Sequence, residues 1–214
     1  MATWTFKRLT APTAAQVTRV LAIYRGVIEP SEQKSEAAMR AQLAHPEYLW
    51  LAAIRDGEIG GFATVFAPDG EDFCLLEYLA VDAKLQGQGL GATLFAQVRK
   101  VAGAERVLVL EVDADVPGPG VKLRKRRLGF YARLGCRRLG SIPYELPLDE
   151  RGKPPPMWLL AHAPPDVASV AASKVRRWLK MIYVGAYQQR AGDPRIADMM
   201  QRQARAVPLV EIGV

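Results

Sequence analysis

Between an apolar, strand-like run at residues 74–81 and a helix-forming stretch at 93–100 the chain reads Gln86-Gly87-Gln88-Gly89-Leu90-Gly91-Ala92. Glycines between a strand and a helix start let backbone N–H groups close on an anion with no Cβ in the way, and the helix dipole adds to the attraction. The chemistry on offer is phosphate binding, and the spacing decides which kind. Gly87-x-Gly89-x-x-Ala92 satisfies a dinucleotide-binding fingerprint, with Glu111 as a candidate ribose ligand. In that motif the first glycine follows its strand in a tight turn at the head of a βαβ unit. Here residues 82–86 intervene, after two earlier strand-like runs. A P-loop is excluded because no Gly-Lys-Ser/Thr follows. An ordinary glycine loop at a helix start is the plain alternative.

Two acids sit where acids are costly. Glu77 interrupts the apolar run 74–81, and Glu111 ends the run 107–111 in Leu108-Val109-Leu110-Glu111. A carboxylate inside an apolar strand must find a partner or shift its pKa, the usual preparation of a general base, although either acid can serve as a structural hydrogen-bond acceptor. Period-two alternation places Glu77 on the face of Leu79 and Val81. Further on, Arg127-Leu128-Gly129-Phe130-Tyr131-Ala132-Arg133-Leu134-Gly135-Cys136 puts Leu128, Tyr131 and Leu134 on one helical face, with Gly135 as a left-handed C-cap. His45 and His162 lie outside these motifs. Cys74 and Cys136 sit in apolar surroundings and give neither a disulfide framework nor metal-ligand spacing, so buried thiols and no metal are expected.

The pattern Gln/Arg-x-x-Gly-x-Gly/Ala after a strand ending in an apolar residue and Asp is met by Gln86, Gly89 and Gly91. With it, the segment resembles the acetyl-coenzyme A signature of the Gcn5-related N-acetyltransferases. Phe130-Tyr131 followed by Leu134-Gly135-Cys136, about 40 residues later, is similar to that family's late helix and turn, and the resemblance covers roughly residues 4–162. It implies the acyl-CoA N-acyltransferase fold: an α/β architecture with a mixed, mostly antiparallel central sheet of about six or seven strands, a splayed signature strand and helices on both faces. It also implies that the backbone of Leu79, Ala80 and Val81 meets the pantetheine amides, the Leu79 N–H polarising the thioester carbonyl. Gln86, Gly87, Gln88, Gly89, Leu90, Gly91 and Ala92 would hold the pyrophosphate of acetyl-CoA, the co-substrate. In the family the acceptor amine attacks the thioester directly in a ternary complex. Tyr131 matches the usual general acid, a phenol whose ordinary pKa of about 10 suits protonation of a thiolate. Glu77 or Glu111, directly or through water, would receive the amine's proton.

The elements that must position these residues follow in the order this resemblance requires. Residues 4–9 alternate as a first strand, and Thr13-Ala14-Ala15-Gln16 is a capping box ahead of Val17, Val20, Leu21, Tyr24, Val27 and Ile28 at helical spacing. Ser35 caps a second helix to about Leu43, and strands at 50–55 and 59–66 flank Asp56-Gly57, a hairpin signal. The strand at 74–81, a helix at 89–102, a buried strand at 107–112 and a basic helix at 122–134 come next. Strands at 138–142 and 157–161 flank a turn around Arg151-Gly152. These residues, 1–163, form the expected acetyltransferase domain. Residues 164–214 form a helical extension: Asp166 caps a helix carrying Val167, Val170, Ala171, Val175, Trp178, Leu179, Ile182, Tyr183 and Ala186, and Asp193-Pro194 starts another to about Ala206. The wide apolar stripe calls for docking on the domain or on a second subunit, so a monomer or a homodimer is expected.

The net charge of +7 is concentrated. Lys122, Arg124, Lys125, Arg126, Arg127, Arg133, Arg137 and Arg138 occupy a span with no acid. They read as a solvated helix face, as a contact to coenzyme A phosphates or as a nucleic-acid surface, and nucleic acid is disfavoured because the only aromatics among them are Phe130 and Tyr131. No segment approaches the ~18 apolar residues of a membrane span and the N-terminus lacks the apolar core of a signal peptide, so a cytoplasmic protein without a membrane partner is expected. The functional expectation is an N-acetyltransferase acting on a primary amine, with a small-molecule acceptor favoured over a peptide or protein. Glu29 and Glu32, in the segment 29–34 joining the first two helices, could attract a cationic amine, and Tyr144 could line the same cleft; a polar capping loop is the alternative. A non-catalytic acyl-CoA-binding regulatory module and a nucleic-acid-binding protein using residues 122–138 are the alternatives from other classes.

Overall fold

Thr13 starts the first helix as its sequence dictates: its hydroxyl accepts from the Gln16 N–H while the Gln16 side chain accepts from the Thr13 N–H. In a computed structural model, which describes residues 3–148 and 154–213, that helix belongs to the first of two units, Met1–Arg106 and Val107–Val214. The turn at Arg151-Gly152 lies outside the described residues.

The first unit runs β1 (Thr5–Arg8), α1 (Ala14–Val27), α2 (Glu36–Ala44), β2 (Tyr48–Arg55), β3 (Glu58–Phe66), β4 (Phe73–Val81) and α3 (Leu90–Ala102). Its four strands pair antiparallel in chain order. Asp56 and Gly57 both take positive φ (52° and 82°), the geometry that an Asp-Gly hairpin turn requires. Gly60 is forced by packing: a Cβ there would lie 2.3 Å from the Trp4 ring. Helices α1 and α3 pack on β3 and β4, and α2 packs on β2. Tyr24, Met39, Trp50, Phe62, Phe66, Leu75 and Leu94 form the buried centre.

The second unit runs β5 (Val107–Asp113), α4 (Val121–Arg133), β6 (Arg137–Leu139), β7 (Met157–His162), β8 (Ser169–Ala171), α5 (Ala172–Met181), a π-helical turn at Ile182–Ala186, α6 (Pro194–Met200) and β9 (Ala206–Val210). Within it β7 pairs with β5 and β6, β6 with β9, and β9 with β8, all antiparallel. The α/β class and the dominance of antiparallel pairing agree with expectation, but nine strands are present among the described residues rather than six or seven.

The two additional strands come from the tail, where only helices are expected. Ser169–Ala171 is exposed, buried, exposed in turn, a period of two, and Val170 faces Val207 across the ladder. The helix that Asp166 is expected to cap begins instead at Ala172, and the last helix stops at Met200 rather than near Ala206. Three residues fit a helical stripe and a short strand equally well, so the pairing with β9 decides. β6 ends early, at Leu139, because Gly140 turns with φ 54° and gives its N–H to the Pro208 carbonyl at 2.8 Å. Val175, Trp178, Leu179, Ile182 and Tyr183 are buried within the single chain, with α5 packed on α6, β8 and β9. No helix among the described residues is long and apolar enough to cross a membrane.

Candidate active site

Strand β4 hands over to α3 through a loop held from both ends. Asp82 caps a 3₁₀ turn at Ala83–Leu85, accepting the Lys84 N–H at 2.9 Å and the Arg19 guanidinium at 2.5 Å. These donors, the Lys84 N–H foremost, hold the Asp82 carboxyl below the usual range. The Gln86 amide returns to the Val81 carbonyl at 3.2 Å, and that of Gln88 to the Lys84 carbonyl at 3.2 Å. Gly87 and Gly89 take φ 78° and 82°, and a Cβ at either would meet nothing within 4 Å. The glycines therefore serve backbone conformation and leave open space beside the loop. The helix ladder begins with the Thr93 N–H on the Gly89 carbonyl at 3.1 Å, so the N–H groups of Leu90, Gly91 and Ala92 have no partner within the helix. Exposed loop, open surroundings and orphan donors at the positive end of a 13-residue helix suit a pyrophosphate.

Glu77 is not placed as simple alternation predicts. Thr64 pairs with Tyr78 and Val65 with Leu76, so Glu77 is the extra residue of a β-bulge. The bulge lets neighbouring side chains reach the same region: Tyr78 bonds to the Tyr24 hydroxyl and the Glu32 carbonyl, and Glu77 to Gln42 and Lys34. Alternation with Leu79 and Val81 does not carry across it. The Glu77 carboxylate is almost fully buried, ion-paired with the equally buried Lys34 ammonium and bonded to the Gln42 amide at 3.1 and 3.3 Å. The segment expected to offer Glu29 and Glu32 to a cationic substrate thus contributes a cation to the interior, a residue that sequence reading passed over. Its signal was available: an acid in an apolar strand requires a counter-charge.

Glu111, near the end of β5, accepts from two phenols, Tyr144 on one oxygen and Tyr187 on the other. Its carboxylate is half-buried rather than enclosed. Two donors on separate oxygens orient it. Tyr187 follows the π turn, closed by its own N–H on the Ile182 carbonyl at 3.2 Å. The wider turn carries Tyr183 as well, whose hydroxyl donates to the Glu145 carbonyl at 2.5 Å. Neither tyrosine had a role in the sequence reading, where both are stripe residues or unremarked.

Tyr131 lies on the buried face of α4, its ring 5.1 Å from that of Phe130 in an edge contact. Burial pushes its phenol well above the ordinary value, opposed by Arg127. The basic cluster around it divides. Arg124 donates to the carbonyls of Val116 and Pro119, Arg127 pairs with Asp113 at 2.5 Å, Arg137 holds the carbonyls of Ala163, Pro164 and Val167, and Arg138 lies over the Trp158 ring. Lys122, Lys125, Arg126 and Arg133 face solvent. Half of the charge that suggested a polyanion partner therefore serves the internal structure. Cys74 and Cys136 are both buried free thiols, and burial pushes the Cys74 thiol up to about 12.

Comparison with known proteins identifies what this arrangement belongs to. The profile of the acetyltransferase (GNAT) family matches residues 17–135, more than half of the chain. The chain belongs to the GNAT family. Solved GNAT structures share its fold: a GNAT-family protein from Bacteroides thetaiotaomicron superposes with a TM-score of 0.71 at 21% identity, covering 87% of this chain and 99% of its own. The aminoglycoside 6'-N-acetyltransferase complexed with coenzyme A gives 0.58 at 19% identity, covering 73% and 95%. The ribosomal-protein-S18-alanine N-acetyltransferase from Escherichia coli gives 0.55 at 18%, covering 77% and 99%. No curated protein sequence is similar enough to match. Membership places the chain in a family of acetyltransferases.

Proposed function

We propose that this GNAT-family protein moves an acetyl group from acetyl-CoA to a primary amine by direct attack in a ternary complex. The observation that carries the reading is the exposed glycine loop with orphan N–H donors at the start of α3. Gln86, Gly87, Gln88, Gly89, Leu90, Gly91 and Ala92 hold the pyrophosphate, and the backbone of Leu79, Ala80 and Val81 meets the pantetheine arm. Acetyl-CoA supplies the acyl group activated as a thioester.

Glu111 takes a proton from the acceptor ammonium, directly or through water, which frees the nitrogen lone pair for attack on the thioester carbonyl. Its half-open position supports this choice over Glu77, which is buried and ion-paired with Lys34. Leu79 N–H polarises the carbonyl, and Tyr131 gives its proton to the departing thiolate. Acetyl transfer resides in residues 1–163, and residues 164–214 support it as a monomer or homodimer.

Two measurements test the reading. Titration calorimetry with acetyl-CoA should show binding, and thiol release should depend on an added amine. Tyr131→Phe should lower single-turnover rates on the order of 10²-fold with cofactor affinity kept. Binding without thiol release across a broad amine panel would establish the non-catalytic acyl-CoA-binding module instead.

A further inference from the structure

A cleft of about 600 Å3 opens in the second unit beside the end of β5 and the start of β7. That volume suits a small organic molecule. Its walls are apolar, formed chiefly by Leu146, Leu148, Met157, Trp158 and the prolines Pro154–Pro156, which lie just before β7. Among the described residues the polar side chains on it are few and differ in what they leave available. Arg195 is already held by both oxygens of Asp193, at 2.8 and 2.9 Å, and by Gln189 at 3.1 Å. Glu145 is exposed, and its carbonyl is taken by Tyr183. Tyr144 lines the cleft with its ring and donates its hydroxyl to Glu111. The cleft is therefore one hydrogen bond from the proposed base.

These features select a ligand. A carboxylate would meet Glu145 and an arginine whose charge is already matched. A polyamine would press a second ammonium against apolar wall, where an unmatched charge is costly. A single ammonium carried on an aliphatic or aromatic body fits both the wall and the acid. We propose that this cleft holds the body of the acceptor, a primary monoamine with an apolar group, its nitrogen toward Tyr144 and Glu111. The inference rests on the acetyltransferase reading and adds its substrate class.

The test uses the full chain with a series from propylamine to hexylamine, phenethylamine and spermidine, each followed by calorimetry in the presence of coenzyme A and by thiol release with acetyl-CoA. The specificity constant should rise about fourfold per added methylene, the ratio expected for burying one CH2, until the cleft is filled. Spermidine should fall below hexylamine. Trp158→Ala should flatten the series, and Leu148→Asp, at a half-buried position outside any helix or strand, should do the same if the tryptophan variant fails to fold. Turnover that ignores chain length, prefers spermidine or survives both substitutions with its slope intact overturns the cleft assignment and leaves the acetyltransferase standing. Length-dependent binding abolished by the variants, with no thiol release from any amine, supports the cleft as an amine site and overturns the transferase.

Discussion

Two glutamates that look alike in sequence have opposite environments. Glu77 balances Lys34 in the interior of the first unit, whereas Glu111 is held by phenols and half-open to solvent. Glu77→Gln should therefore act on stability, lowering it by about 3–5 kcal/mol because the buried ammonium loses its counter-charge. Glu111→Gln should leave the urea midpoint nearly unchanged and reduce turnover by roughly 10²- to 10⁴-fold, the range for general base catalysis. Denaturation and rate measurements on both variants decide, and a reversed pattern would move the base to Glu77. Asp82 offers a pH test. Its carboxyl is held down in the folded chain by the Lys84 N–H and Arg19, so its stabilisation is complete above the ordinary Asp value of about 3.9 and is lost as pH falls through the lower folded value. Asp82→Asn should be less stable than wild type at pH 7, with the difference closing toward pH 2; a difference that persists there would mean the charge is not what matters.

At the scale of elements, α3 owes the shape of its first turn to one residue. Gly89 sits in the left-handed region as N-cap, so a β-branched side chain strains the loop itself rather than merely occupying space. Gly89→Val should weaken acetyl-CoA binding by at least tenfold while the circular dichroism spectrum stays that of the wild type; calorimetry showing unchanged affinity in the folded variant would remove the loop from the cofactor site. The π turn after α5 is a second device of this kind. It adds a residue to the helix and delivers Tyr183 and Tyr187 to Glu145 and Glu111. Tyr187→Phe removes one of the two donors that orient the carboxylate, and it should lower turnover with KM for acetyl-CoA and the melting temperature kept. A fall in melting temperature with turnover intact would make the contact one of packing alone.

For the molecule as a whole, the last fifty residues are not an appendage to the second unit. They supply β9, which pairs with β6, and the buried Trp178, Tyr183 and Val207, and they place a hydroxyl on Glu111. Large side chains of this kind contribute roughly 1.5–3 kcal/mol each when buried. Truncation after Pro165 should lower the melting temperature or cause aggregation, and should abolish thiol release. A truncated chain with wild-type stability, mass and solubility would show that the tail is dispensable to the fold.

The parts legible in the sequence are those with local causes. A capping box, an Asp-Gly turn and a glycine loop before a helix each depend on residues within a few positions of one another, because backbone sterics and capping hydrogen bonds act over one turn. They gave the first helix, the hairpin and the glycine loop ahead of α3. What only tertiary structure decided is set by contacts between distant segments. The bulge that turns Glu77 toward Lys34 depends on register with β3, β8 and β9 form because each offers the other a ladder, and Tyr187 reaches Glu111 across a separation of 76 residues. Such pairings leave no fixed spacing in the chain: the same apolar residues satisfy a helical stripe or a strand, and long-range packing selects between them.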